Sequence, residues 1–248
     1  MKISLVTTVL NEEKTIISLI RSIEVQSRKP NEIIIVDAGS TDKTVAYVKS
    51  FQKYSSLKIR LLKKHGNRAV GSNFGVKQTV GQGIAVTDAG CVLDKNWLKL
   101  ITAPLINQKT DVVAGFYRMR ADTLFTQYSA LFVGTMSHNV DKNNFLPSSR
   151  SIAFTRKAWA KIGGYPEHLD YAEDLVFAQK LQDHRSLTIQ VEPKATVEWT
   201  PPENLWQFFV AIKNYTLGNV QAHYTRHLRK NYLVLARYII YAVMLLAL

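Results

Sequence analysis

The sequence predicts an α/β fold: a mostly parallel sheet flanked by helices, with an apolar helix at the C-terminal end. Three observations predict it. Through the first half, short apolar runs alternate with segments whose apolar residues recur at helical spacing. Two of the apolar runs end on an aspartate. The last stretch, Asn231 to Leu248, is almost wholly apolar. Short apolar strands alternating with helices are the pattern of a parallel sheet covered on both faces.

The elements follow in order. "ISLVTTV" is a first buried strand. "NEEKTIISLIRSIEVQ" is a helix, with Ile16, Ile17, Leu19, Ile20 and Ile23 at helical spacing and Asn11 placed to cap it. "EIIIVDAGS" is a continuous apolar strand and "TDKTVAYVKSFQKY" a helix, with Asp42 as its capping residue. "LKIRLLKK", "AVGSNFGVKQTV" and "GIAVTD" repeat the rhythm. Asp94 is placed to cap "KNWLKLI". The second half is mixed: a strand "DVVAGFYR", a helix near Leu124 to Met136, an irregular "DKNNFLPSSR", then a helix around Trp159 and a turn at Gly163-Gly164. Leu169 to Leu181, "LDYAEDLVFAQKL", is a helix with Glu173 and Asp174 near its start.

No repeat or linker divides the chain, so its 248 residues parse as one domain over 1–222 and a tail over 223–248. The tail opens on a basic collar, Arg226, Arg229 and Lys230, and runs into the apolar segment. A basic collar before an apolar helix marks a cytoplasmic membrane boundary, so a membrane surface is an expected partner. His223 and His227 belong to that collar. The single cysteine, Cys91, excludes an internal disulfide. The net charge of +13 points to phosphate-bearing partners. Nucleic acid is not expected among them, because the positive residues are spread and no DNA- or RNA-binding motif is present.

Asp37 ends "IIIVD" and Asp88 ends "IAVTD". In an open parallel sheet, ligands bind beyond the carboxyl ends of the strands, so these two acids face one crevice. There a carboxylate can accept from a base N–H or a ribose hydroxyl, or hold a divalent cation. Neighbouring helix N-termini favour an anionic ligand such as pyrophosphate.

The stretches "TVLNEEKTI", "EIIIVDAGSTDKT", "RAVGSNFG", "AVTDAGCVLDKNW", "GGYPE" and "AEDLVF" occur together in this order between about Thr8 and Phe177. In order and spacing the chain resembles the family 2 glycosyltransferases of GT-A fold. The resemblance implies a nucleotide-binding sheet and a nucleotide-sugar donor. It places Asn11 and Glu12 along the nucleotide site and Asp37 on the base, with Ala38 where the family often has a second aspartate. The family's "ARNxG" stretch matches "GSNFG", keeping Asn73 and Gly75, with Ser72 in place of the arginine. Arg68, about one helical turn earlier, can supply that charge to the diphosphate. The family's DxD motif matches Asp88-Ala89-Gly90, and a magnesium or manganese ion is the implied cofactor, with Asp88 as its ligand. The second acid is missing. Three arrangements are compatible: an ion shared between Asp88, diphosphate oxygens and water; a contribution from Asp94; or neutralisation by Arg68, Arg150 and lysines without a metal.

"AEDLVF" resembles the family's "ED" motif, which implies that Asp174 is the general base of an inverting transfer and Glu173 its supporting acid. An acceptor hydroxyl is a poor nucleophile, and a positioned carboxylate can take its proton. Arg150, after "LPSS", can hold phosphate on the donor or on a lipid-phosphate acceptor. Trp199 fills core or stacks on a sugar. The "QxxRW" stretch of processive members is absent, and "KNYTLGN" stands there, which favours a single addition. The expected activity is therefore transfer of one sugar to a glycan or lipid-linked acceptor at the cytoplasmic face of the cell membrane. Three other readings compete: a degenerate nucleotide-sugar-binding protein without transfer activity, a basic nucleic-acid-binding protein, and a nucleotidyltransferase, which would want a Gly-rich basic loop where this chain has "LNEEKT".

Overall fold

Four parallel strands form one half of the sheet, three of them buried on both faces and the edge strand only partly buried. In the computed structural model, which describes residues 1–134 and 145–223, these are β1 (Ile3–Val9), β2 (Glu32–Asp37), β3 (Ile59–Lys63) and β4 (Gly83–Val86). They pair in parallel in the order β3-β2-β1-β4. Between them run α1 (Ile16–Glu24), α2 (Thr44–Tyr54) and α3 (Arg68–Gln78). The rest of the sheet is β5 (Cys91–Leu93), β6 (Val112–Met119), β7 (Ile152–Thr155) and β8 (Ile189–Trp199), with α4 (Trp97–Ile106), α5 (Leu124–Val133), α6 (Arg156–Lys161), α7 (Glu173–Asp183) and α8 (Leu205–Gln221).

The full order is β3-β2-β1-β4-β7-β6-β8-β5. β7 enters antiparallel between β4 and β6, and β5 pairs antiparallel with β8 at the edge. The sheet is therefore mixed, which corrects the expectation of a mostly parallel one. The physical reason lies in "IAFT": its three apolar residues are buried, and a strand buried on both faces reads the same in either direction. The expected apolar C-terminal helix, and all of the tail from residue 224 on, lie outside the described residues. Among the described residues no helix is long and apolar enough to cross a membrane.

One core lies between the sheet and α1, α2 and α4, around Leu5, Leu19, Ile20, Ile23, Ile35 and Trp97. Ile16, Leu19, Ile20 and Ile23 are fully buried along one face of α1. Each such side chain contributes roughly 1.5–3 kcal/mol relative to exposure. The opposite core joins the sheet to α3, α6 and α7 around Val6, Ile34, Val76, Phe154 and Phe177. α3 lies unusually close to the sheet. A Cβ on Gly71 would stand 2.8 Å from the Thr8 methyl and one on Gly75 2.7 Å from Val6. The glycines of "GSNFG" thus serve helix-to-sheet contact.

Helix starts differ in detail from the sequence reading. Thr15, not Asn11, sits at the N-cap of α1. Asp42 is not the N-cap of α2, which is Lys43; it stands one residue earlier and accepts from the Thr44 N–H at 2.9 Å. Asp94 does not cap α4, whose N-cap is Asn96. α7 begins at Glu173, later than the apolar spacing suggests, because Ala172 takes a left-handed conformation (φ 60°) that breaks the helix in front of the acid pair.

Candidate active site

The carboxyl ends of β1, β2 and β4 share one edge of the sheet. Asp37 closes β2 and Asp88 follows β4, with β1 between them. Two strand spacings separate them by about 10 Å. Asp37 is buried, and its carboxylate accepts from the N–H groups of Gly39 (3.2 Å) and Ser40 (3.0 Å). It therefore shapes the loop after β2. Asn11 lies on the opposite lip in a left-handed conformation (φ 56°). Its N–H donates to the Ser40 hydroxyl at 2.9 Å and its side-chain oxygen accepts from the Thr41 N–H at 2.9 Å. These bonds tie the loops after β1 and β2 into one rim.

Glu12 is next on that rim. Its N–H donates to Thr44 Oγ1 at 2.7 Å, and its carboxylate accepts from the Thr15 hydroxyl. Burial raises its pKa, the Thr15 bond opposes this, and Asp88 raises it further, with Arg68 acting against. Glu12, Asp88 and Arg68 therefore share one electrostatic neighbourhood.

Arg68 opens α3, behind Asn67, whose side chain caps the helix by accepting from the Val70 N–H at 3.0 Å. It forms an ion pair with Glu173 at 3.3 Å while 58% of its side chain stays open to solvent. Asp88, then Glu173 and Asp174, hold its pKa above the ordinary arginine value. Arg68 is thus an accessible cation among three carboxylates. Arg150 is near enough to oppose the charge of Arg68. Burial opposes its charge, but Asp88 and the groups around it more than offset this, so its pKa is raised as well. Its guanidinium lies over Trp199 at 4.2 Å and over Tyr117 at 5.2 Å, a geometry that stabilises a cation on two aromatic faces. Arg150 Nε is buried without a hydrogen-bond partner among the described residues.

Glu173 and Asp174 occupy the first turn of α7, where the helix N-terminus favours negative charge. Ser148 Oγ donates to Asp174 Oδ2 at 3.2 Å and accepts from Arg150 Nη1 at 3.4 Å, linking base candidate and arginine through one hydroxyl. Glu173 is 2% exposed. Burial, then Asp174, push its carboxyl up to about 7, against the pull of Arg68. Beneath the pair, Tyr165 stacks on Phe177 with ring centroids 3.8 Å apart and accepts from Ser149 at 3.2 Å.

The structure thus brings Glu12, Arg68, Asp88, Arg150, Glu173 and Asp174 into one charged cleft, with Asn11 and Asp37 in its rim. It does not bring Asn73 there. Asn73 is buried; its amide donates to Tyr165 O (2.8 Å) and Glu167 Oε1 (2.9 Å) and accepts from Tyr165 N (2.9 Å) and Trp159 Nε1 (3.1 Å). All its capacity is spent on the protein, so its place on the donor is corrected to a clamp between α3 and the "GGYPE" turn. Asp94 is likewise engaged, with Arg118 at 2.8 Å and the Thr196 hydroxyl, and does not assist Asp88. Ser148 and Tyr117 were not legible as site residues. The serine read as part of a turn, and the tyrosine reaches Arg150 from a strand distant in sequence.

Asp88 accepts no side-chain hydrogen bond among the described residues, which leaves its oxygens available to a ligand. Among the described residues no group of three or more acids, histidines or cysteines could cage a metal. The donor set fits an ion held by Asp88 together with phosphate oxygens and water, in the manner of magnesium. Gly90, at the second position of the pair, leaves open room: a Cβ there would meet only Trp199 Cδ1, at 4.0 Å.

The family model described as "Glycosyl transferase family 2" matches residues 4–163. The glycosyltransferase AglE of Haloferax volcanii is 22% identical over 187 residues, covering 73% of this chain and 61% of that protein. The poly(ribitol-phosphate) β-N-acetylglucosaminyltransferase TarS of Staphylococcus aureus is 28% identical over 186 residues, covering 73% of this chain and 32% of that protein. The chain thus spans less than two thirds of either relative. Among solved structures, residues 1–349 of S. aureus TarS in complex with UDP-GlcNAc superpose with a TM-score of 0.65 at 22% identity, over 84% of this chain and 60% of that one. The mannosyltransferase PcManGT of Pyrobaculum calidifontis, in complex with GDP-Man and Mn2+, gives 0.67 at 20% identity, over 92% and 70%.

Proposed function

Because the chain belongs to glycosyltransferase family 2, we propose that it moves a single sugar from a nucleotide-sugar donor to an acceptor hydroxyl, with inversion at the anomeric carbon. The observation that carries this reading is the convergence of Arg68, Asp88, Glu173, Asp174 and Arg150 on one cleft at the carboxyl ends of the strands. The nucleotide lies along the rim made by Asn11, Glu12 and Asp37. Arg68 and Arg150 face the diphosphate, whose negative charge grows as it leaves and must be stabilised. The orphaned Nε of Arg150 is a donor for such an oxygen. Asp88 would hold a divalent cation, which supplies further neutralisation of the leaving group when bound.

Asp174 takes the proton of the attacking hydroxyl. Ser148 fixes one of its oxygens, and Glu173, held by Arg68, sits behind it. The acceptor belongs to the cell envelope or is lipid-linked, and the protein works at the cytoplasmic face of the membrane. The basic collar and apolar stretch after residue 223 support that placement.

The test is a thermal-shift panel of UDP- and GDP-sugars, with and without manganese, followed by turnover with the donor that binds. Asp174→Asn is expected to keep the donor shift and to lower turnover by about 10²–10⁴-fold. Unchanged turnover in that variant would overturn the assignment of the base. No shift with any sugar nucleotide would overturn the reading as a whole.

A further inference from the structure

Two helices carry an apolar surface that the rest of the described fold leaves uncovered. α5 and α8 pack on one another through Phe132 and Phe208, edge to face at 5.7 Å. Of the seventeen residues of α8 only Gly218 is buried, against Tyr171 and Ala172 at the entry to α7. Among the described residues, eleven of the seventeen exposed large hydrophobics belong to these two helices. Patches of this kind mark interaction surfaces.

The exposed residues form coherent faces. At the helical turn of 100° per residue, Leu205, Trp206, Phe209, Val210, Leu217 and Val220 fall within about 140° of one another, on the side away from Gly218. Leu124, Tyr128, Leu131 and Phe132 fall within about 100° on α5. α5 has no charged residue, and α8 has one, Lys213, in the middle of its apolar face.

We propose that the joint face of α5 and α8 docks on an anionic lipid surface, with α8 lying along the headgroup boundary and the cleft beside it. Lys213 decides between this occupant and a second copy of the chain. In a protein–protein seam its ammonium would be buried among apolar side chains without an acid, a costly arrangement. At a bilayer its stem lies among the apolar groups while the ammonium reaches the phosphates. The sequence that follows α8 agrees, with Arg226, Arg229 and Lys230 leading into an apolar stretch whose only charge is Arg237. Trp206, 76% exposed, suits the interface, where an amphipathic ring has one apolar and one wet side. The catalytic acids lie against the opposite side of the same helix: Gly218 of α8 meets Tyr171 and Ala172, just before Glu173, and Tyr215 of α8 acts on the charge of Arg150. Docking would therefore hold the acids one helix diameter, roughly 10 Å, from the bilayer.

Trp206 is also the probe. The full chain is mixed with vesicles of equal parts phosphatidylcholine and phosphatidylglycerol whose acyl chains carry bromine, a quencher of tryptophan emission. Emission is expected to fall and shift to the blue, and the fall is expected to vanish in Trp206→Phe, which keeps an apolar ring. Lys213→Glu is expected to weaken binding by about fivefold or more, since each basic residue at an anionic surface contributes about 1 kcal/mol. A chain that pellets with vesicles while Trp206 stays unquenched binds through residues 224–248 alone, which overturns the proposal. A chain that ignores vesicles and runs at twice its mass overturns it in favour of a second copy. Nucleoside diphosphate binding, followed by thermal shift in the same samples, separates the two readings: quenching without nucleotide binding supports the docking face and strikes only the transferase assignment.

Discussion

At the scale of single residues, the cleft sets cations and carboxylates close enough to control one another's charge. Glu173 shows this most directly. Its folded pKa lies above that of a free carboxyl, so the folded state holds this proton more tightly than the unfolded one. The stability that follows is fully present below the unfolded value of 4.5 and is lost as pH rises toward about 7. Glu173→Gln lacks that dependence. The variant is therefore expected to gain on the natural protein between pH 5 and pH 8, read as a widening difference in Tm. Each 1 kcal/mol of the effect amounts to about 2–4 °C. At Arg150 shape matters as well as charge. Arg150→Lys keeps the cation but loses the planar fit to Trp199 and Tyr117. It is expected to weaken binding of the nucleoside diphosphate by about tenfold by titration calorimetry, and that of the monophosphate less. Asp37, Asp88 and the acid pair were legible in sequence because strand ends and helix starts leave a local signature. Ser148 and Tyr117 were not, because their roles arise from contacts between segments that fold together from far apart. Asn73 sits in a recognisable motif, but its amide is spent on Tyr165, Glu167 and Trp159, and nothing local in the sequence shows that it turns that way.

At the scale of elements, α3 and α7 position the chemistry, and each does so through one unusual feature. α3 reaches the sheet over Gly71 and Gly75. Gly75→Ala is expected to destabilise the fold by about 1–3 kcal/mol through overlap with Val6 and Val36, seen in urea unfolding. α7 is held short by Ala172, whose left-handed backbone costs about 1–2 kcal/mol. Ala172→Gly relieves that strain and is expected to raise stability by about 1 kcal/mol, with the acid pair still in place as judged by unchanged turnover. The alternation of strand and helix made the elements legible up to β4. Beyond it the direction of β7 was not, because pairing sense depends on where a connection returns and not on the apolar character of the strand.

At the scale of the whole molecule, the charge of +13 sets the field around the protein. In the cleft Arg68 and Arg150 stand among Glu12, Asp88, Glu173 and Asp174, so the long-range pull on an anionic ligand comes from the net charge of the whole chain, and salt screens that field. Donor affinity is expected to fall as ionic strength rises from 50 to 500 mM, measured as the dissociation constant of the nucleoside diphosphate (a span chosen to shrink the Debye length from about 14 to about 4 Å). The space beside Gly90 bears on how such a protein changes over generations. A side chain there meets only the edge of Trp199. Aspartate at this position would not disturb the scaffold, and it would stand within reach of the carboxylate two residues before it. The route between one acidic ligand and two is then a single tolerated codon change, so lineages built on this scaffold could gain or shed a metal requirement without first passing through a misfolded ancestor.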